Sequence, residues 1–375
     1  MSINEIILYI MIIFMVLGAI DKIIGNKFGL GEQFEAGFNA MGSLALSMIG
    51  IICLAPVIAA LLKPLIVPIY TALGADPAMF ATTILANDMG GAPLALEFAN
   101  DINAGKFSAF IVGAMMGPTI VFTIPVAIGI INKEDHKYLA LGIASGMITI
   151  PIGAFFGGLA AGYGVVFLIK NLIPIIIVSI LLTFGLIFMR DILIKVFDIF
   201  SKFLVILITI GLVFAVIEAL TGIQIIKFTI DNKTITMSPI SDAVTTVASI
   251  AFVLAGAFPL VFVLTKAASK PLESIGKKLG MNDVGAAGLV ATLANNIPMF
   301  NIMKDMNNQG KIINCAFAVS AAFTFGDHLG FTAGYAGGEY KSMIFPMIVA
   351  KLIGGITAII VAYFVSKLVL KNNNK

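Results

Sequence analysis

Apolar residues fall in long unbroken runs, and polar residues gather in short stretches between them. Nine runs are long enough to carry a helix across about 30 Å of hydrocarbon, which takes about 20 residues. They cover 4–24, 37–62, 106–131, 138–162, 171–190, 199–221, 243–266, 311–336 and 342–368. Runs such as "IPIIIVSILLTFGLIFM" (173–189) lack the alternation of a membrane β-strand, so the predicted elements are helices. Two further apolar segments, 79–98 and 284–304, are interrupted in the middle. The first holds "LANDMGGAPLAL" (85–96) and the second "LANNIPMFNI" (293–302).

Composition agrees with the pattern. The chain is 59% hydrophobic and 11% charged, against about 25% charged in soluble domains. This predicts an all-α polytopic membrane protein with the lipid bilayer as its surroundings. A net charge of +3 is too small to argue for nucleic acid. Cys53 and Cys315 lie inside apolar runs, so no disulfide framework is expected. Trp is absent, so any interfacial belt must use Tyr. The N-terminal stretch "MSINEIILYIMIIFMVLGAIDKII" lacks a basic leader and reads as a first membrane helix rather than a cleaved signal. GxSxG, HExxH, Walker and CxxC motifs are missing, and two histidines, His136 and His328, cannot build a metal cluster alone. No enzymatic activity, cofactor or metal is expected.

The interrupted segments match each other. "KPL" at 63–65 recurs at 270–272, and Asp76 recurs as Asp283. "TILANDMGGAP" (83–93) recurs as "ATLANNIPM" (291–299), and "DINAGK" (101–106) as "DMNNQGK" (305–311). The shift is 207 positions at the first pair and 205 at the last, which predicts an internal duplication. Charge sets its sense. With both interrupted segments re-entrant, 16 Lys and Arg fall on one face and 6 on the other, with Lys351 inside a span. With both crossing fully, the same residues split 11 to 11. Only the first arrangement has the positive-inside bias. The reading is therefore nine crossings plus two re-entrant helical hairpins. Residues 1–169 form a first repeat, 170–195 a linking helix and 196–375 a second, inverted repeat. The N-terminus lies outside and the C-terminus in the cytoplasm.

Such inverted repeats with broken helices are a plan of secondary transporters, with the binding site where the breaks meet. Unpaired backbone groups cannot face lipid, so a break must be buried in protein or line a polar cavity. A charge at membrane depth is by default a functional candidate. The candidates for substrate binding are Asn87 and Asp88 in the first break and Asn295 and Asn296 in the second. Asp327, His328 and Phe325 in "FTFGDHLGFTAGYAG" (323–337) join them, with Thr119 beside Gly117 and Pro118 in the matching position of the first repeat. The asparagines have a capping role open to them as well. Phe323, Phe331 and Tyr335 either pack or wall an ammonium. Lys351 is expected to snorkel to the interface, with a counter-ion role as the alternative. Asp21 and Glu218 are expected to be solvated at span ends. Glu97 is placed either on the cavity or at its mouth. The GxxxG spacings at Gly153/Gly157 and Gly158/Gly162 predict close helix packing and leave a homo-oligomer open.

Six stretches carry a family likeness: "LANDMGG" (85–91), "GAMMGPTIVFTIPVAIGII" (113–131), "KYLALGIASGMITIPIG" (137–153), "VATLANNIPMFNIMK" (290–304), "KIINCAFAVSAAFTFGDHLGF" (311–331) and "MIFPMIVAKLIGGITAI" (343–359). Together they resemble the ethanolamine permease family of bacterial ethanolamine-utilisation pathways, over nearly the whole chain. The resemblance implies an inner-membrane transporter, a permease or facilitator that brings ethanolamine into the cytoplasm. It brings no set of binding residues, so the site rests on the residues above. Asp88 and Asp327 suit an ammonium, and Asn87, Asn295, Asn296 and Thr119 suit a hydroxyl. A Na⁺- or H⁺-coupled symporter and a passive channel are the alternatives.

Overall fold

The computed structural model describes residues 1–230 and 232–372. Eight helices among them are long and apolar enough to cross a membrane. These are α1 (Ile3–Ile23), α2 (Leu30–Ala72), α5 (Ile102–Ile130), α6 (Lys133–Ala160), α7 (Val165–Phe188), α8 (Arg190–Thr221), α9 (Ile240–Lys278) and a last span, Lys341–Leu370, made mostly by α14 (Ile344–Asn372). Shorter helices fill the gaps: α3 (Ala78–Ile84), α4 (Gly91–Phe98), α10 (Asp283–Ala294), α11 (Asn296–Asn301), α12 (Asn308–Ala321) and α13 (Asp327–Gly334). A polytopic helical membrane protein is therefore what the chain builds. One small departure from all-α is a two-stranded hairpin, β1 (Lys227–Ile230) with β2 (Lys233–Thr236), antiparallel, inside the 222–240 connection.

Three expectations need correction. The run 311–336 is not one crossing helix. It breaks between α12 and α13, where Phe323 takes a φ of 62° and the chain turns through Gly326. The runs 37–62 and 243–266 do not end there: α2 and α9 continue to Ala72 and Lys278, so both "KPL" motifs lie inside helices. Asp21 is not solvated: it is 2% exposed, and its carboxylate accepts the N–H groups of Phe28, Leu30 and Gly31 at 2.8–2.9 Å. It thereby ties the α1–α2 loop.

Burial divides the helices into centre and rim. The apolar window of α5 is 78% buried and that of α6 is 72% buried, against 11% for α1 and 22% for α8. The outer helices keep apolar side chains exposed, as lipid-facing helices must. Within the centre, α2 packs along α9, and α12 packs against both α6 and α14. Gly153 and Gly157 meet Ala350 and Gly354 of α14. The close approach predicted from their spacing is thus made inside the chain.

Side-chain caps start α5, α10 and α12. Asp101 accepts from Asn103 N at 2.9 Å, Asn282 from Gly285 N at 3.0 Å and Asn307 from Gly310 N at 2.9 Å. Each satisfies a donor that the first helical turn leaves unpaired. Two of these caps, Asn282 and Asn307, also hold the base of the second interrupted segment.

Candidate functional site

The first interrupted segment is α3, a break and α4. Leu85 and Ala86 are extended, Asn87–Met89 make one tight 3₁₀ turn, and Gly90 at φ +96° lets the chain reverse into α4. Its two ends meet: the Asp76 carboxylate accepts from Asn100 N at 3.1 Å and Asp101 N at 2.9 Å. The second segment is α10, a break at extended Asn295, then α11. Its ends also meet. Asn282 and Asn307 exchange backbone-to-side-chain hydrogen bonds at 3.3 and 3.4 Å, and the Asn282 amide donates to Asp305 O at 2.8 Å.

Each break rests on a glycine of another interrupted helix. A Cβ on Gly117 would stand 1.9 Å from Leu85 O, and one on Gly326 would stand 2.3 Å from Ala294 O. No other residue permits that approach. The Gly326 side is stitched further, since Phe323 N and Phe325 N donate to Thr292 O and Leu293 O at 3.2 and 3.0 Å. These bonds satisfy carbonyls at the end of α10, as burial in an apolar medium requires.

Between the first break and the turn from Phe323 to His328 lies a cavity of about 40 Å³. Asp88, Asp327 and His328 line it, with Phe122, Phe323 and Pro118 as apolar walls. At roughly 10–15 Å³ per water, the space suits about three waters or one molecule with a few heavy atoms. Neither carboxylate takes part in an ion pair among the described residues. Three polar atoms around the site are buried and unpartnered: Asn87 Nδ2, Asn296 Oδ1 and His328 Nδ1. Leaving such a group unpaired costs about 1–3 kcal/mol. The site can therefore offer a cation two carboxylates and aromatic walls, with unused donors and acceptors close by.

The other candidates fall around it. Asn87 sits in the first break, fully buried, and its Oδ1 accepts from Asp88 N at 2.9 Å. Asn296 is buried and donates to Thr123 Oγ1 at 3.0 Å. Asn295 caps α11 through Ile297 N at 2.8 Å and lines an adjoining cavity that Asp327 also borders. Thr119 spends its hydroxyl on Met115 O and Val319 O. Phe325 packs into the hydrophobic core and does not line the small cavity. Phe331 and Tyr335 pack against Phe110, the first tilted and the second edge-on. Glu97 is exposed.

Two buried lysines depart from their expected places. Lys351 does not snorkel: it is 1% exposed and its Nζ donates to Ala114 O, a carbonyl in the 3₁₀ turn Val112–Ala114 that interrupts α5. Its position a few residues inside an apolar run was the one clue in the sequence. Lys311, counted among the charges of one membrane face, is paired with Asp135 at 2.5 Å with side chains 11% and 6% exposed. Phe122 carried no clue, because nothing distinguishes it from the chain's other phenylalanines before the fold brings it to Phe323.

The chain matches the family described as "Ethanolamine utilisation protein, EutH" over residues 3–365. It is 62% identical to the "Probable ethanolamine permease EutH" of Listeria monocytogenes, covering 100% of this chain and 97% of that one. The protein of the same name in Escherichia coli is 51% identical over 96% of this chain and 95% of its own length. The "Uncharacterized protein YxeR" of Bacillus subtilis is 49% identical over 96% and 94%. No solved structure matches the chain.

Proposed function

Because the chain belongs to the EutH family of ethanolamine utilisation proteins, we propose that it is a permease carrying ethanolamine into the cytoplasm, with the substrate held between Asp88 and Asp327. The observation that carries the site is the small cavity walled by these two unpaired carboxylates and by Phe122 and Phe323. Ethanolamine has four heavy atoms, an ammonium at neutral pH and a hydroxyl. The ammonium sits against a carboxylate and an aromatic face. The hydroxyl takes the unpartnered His328 Nδ1 or Asn87 Nδ2.

The two interrupted segments are re-entrant hairpins in an inverted repeat, placed in the bacterial inner membrane with the N-terminus outside. The hydrogen-bonded bases at Asp76/Asp101 and Asn282/Asn307 support this reading, as does the pairing of each break with a glycine about 209 positions apart. α12 and α13 together make the remaining crossing, broken at the site. Lipid covers the exposed apolar faces of α1, α7 and α8. A homo-oligomer would have to use these same faces, since Gly153 and Gly157 are occupied within the chain. A second reading draws on the presence of two carboxylates for one ammonium. In a symporter, one would hold the substrate and the other Na⁺ or H⁺.

The test is uptake of labelled ethanolamine by purified protein in liposomes. A carboxylate about 4 Å from an ammonium, at an effective dielectric of about 20, contributes about 4 kcal/mol, close to a thousandfold in affinity. Asp88→Asn and Asp327→Asn are each expected to raise the apparent KM by up to that factor. Unchanged uptake in both refutes the site. Uptake that follows an imposed Na⁺ or pH gradient selects the symporter, and saturation with counterflow rejects a channel.

A further inference from the structure

Asp327 borders two cavities. One is the small cavity described above. The other, about 300 Å³, is lined by Gln33 and Ala36 of α2, by Phe262 and Thr265 of α9, and by Asn295 and Asp327. The larger space is open and mixed in character. It carries one carboxylate, two amides, a hydroxyl and an aromatic face, and shares with the small cavity the Asp327 carboxylate and an aromatic wall.

From this we infer a second position for the ammonium alcohol, a cytoplasmic vestibule in which the substrate rests on Asp327, Asn295 and Phe262 after leaving the small cavity. The inference rests on the permease reading above and adds to it a route and a direction. Asp327 is the hinge of the route. An ammonium held by its carboxylate passes from one cavity to the other without losing its counter-charge, so the charge is never left bare in an apolar medium. Phe262 lines the same space as an apolar wall, with the Lys266 ammonium 3.8 Å from its ring centroid. Asn295 uses its Oδ1 as a cap, and its amide nitrogen remains for the hydroxyl. Thr265 donates to Val261 O and Phe262 O and keeps its acceptor lone pairs.

The side follows from charge. Gln33 stands just after the α1–α2 loop, which carries Lys27 and follows Lys22 in the last turn of α1, and Thr265 stands next to Lys266 on α9. Lys22 pairs with Glu35 at 2.5 Å at this mouth. These lysines belong to the basic face, which positive-inside bias assigns to the cytoplasm.

Single cysteines test the vestibule, since Cys53 and Cys315 are fully buried and give a low background. Thr265→Cys and Ala36→Cys are made separately, reconstituted, and treated with a membrane-impermeant thiol reagent in vesicles of known orientation. Uptake is measured before and after labelling in each variant. Labelling is expected from the cytoplasmic face only, to be slowed about fivefold by ethanolamine at about four times its Kd, as the factor 1 + [L]/Kd requires, and to abolish most of the uptake that the variant had. Labelling from the outer face, absence of protection, or uptake unaltered by labelling overturns the vestibule. Failure of the unmodified protein to take up ethanolamine overturns the permease reading instead, so the two are separated. If Thr265→Cys does not fold, Ala36→Cys reads the same wall from the facing helix.

Discussion

The Lys311–Asp135 pair joins residues 176 positions apart and fastens the start of α12 to the start of α6. Its atoms are 2.5 Å apart, both side chains are nearly buried, and Lys311 Nζ also lies 5.6 Å from the Tyr138 ring centroid. Lys311→Met leaves Asp135 charged and unpaired, and Asp135→Leu does the same to Lys311. Stranding one member of a buried pair costs about 3–5 kcal/mol. Unfolding entropy near 2.1 cal/mol/K per residue gives about 0.8 kcal/mol/K for a chain of 375 residues. Each kcal/mol then lowers the transition by about 1.3 °C, and either single variant by about 4–6 °C. The double variant strands no charge and is expected within about 2 °C of the parent or above it, since apolar replacement of a buried pair is often neutral or stabilising. The assay is thermal unfolding in detergent with a thiol-reactive dye, for which the buried Cys53 and Cys315 are the reporters. A double variant that loses the sum of the two single losses would refute the pairing as the source of the effect.

Other expectations follow from the same geometry. Gly326→Ala puts a Cβ 2.3 Å from Ala294 O and is expected to abolish uptake by lifting the break off its seat. Gly129→Ala meets open space on the same scale and is expected to gain about 0.5–1 kcal/mol as a helical residue, which thermal unfolding checks. Choline carries three more methyl groups than ethanolamine. A cavity of about 40 Å³ cannot admit them without overpacking, so excess choline should scarcely slow uptake, whereas 2-aminopropanol, larger by one methyl, should compete. Lys351→Met leaves Ala114 O without its donor, at about 1–3 kcal/mol; uptake is expected to fall by about tenfold or more, with a normal elution profile in detergent.

Hydrophobic patterning determined most of the architecture by itself. Runs of about 20 apolar residues can lower their free energy only by spanning a bilayer as helices, and eight of the nine expected runs do form such helices. The polar interruptions at 87–88 and 295–296 were legible for the same reason, since Asn and Asp have no place in lipid unless something pairs them. Asp88, Asp327 and His328 could be named as candidates on that ground alone. What the linear pattern could not carry was which of these polar groups face one space. Thr119 looked as available as Asp327, yet its hydroxyl is consumed by two carbonyls, one of them 200 positions away. Lys351 sat close enough to a span end to reach water, yet α5 opens a carbonyl beside it and the lysine turns inward. The break at Phe323 was hidden because an apolar run with scattered glycines reads as helix; only the seat of Gly326 on Ala294 O and the bonds from Phe323 N and Phe325 N to α10 make the broken path the one with its backbone paired. Local sequence sets how much a group needs a partner. Which partner it finds depends on contacts between distant segments, and those exist only once the helices have packed.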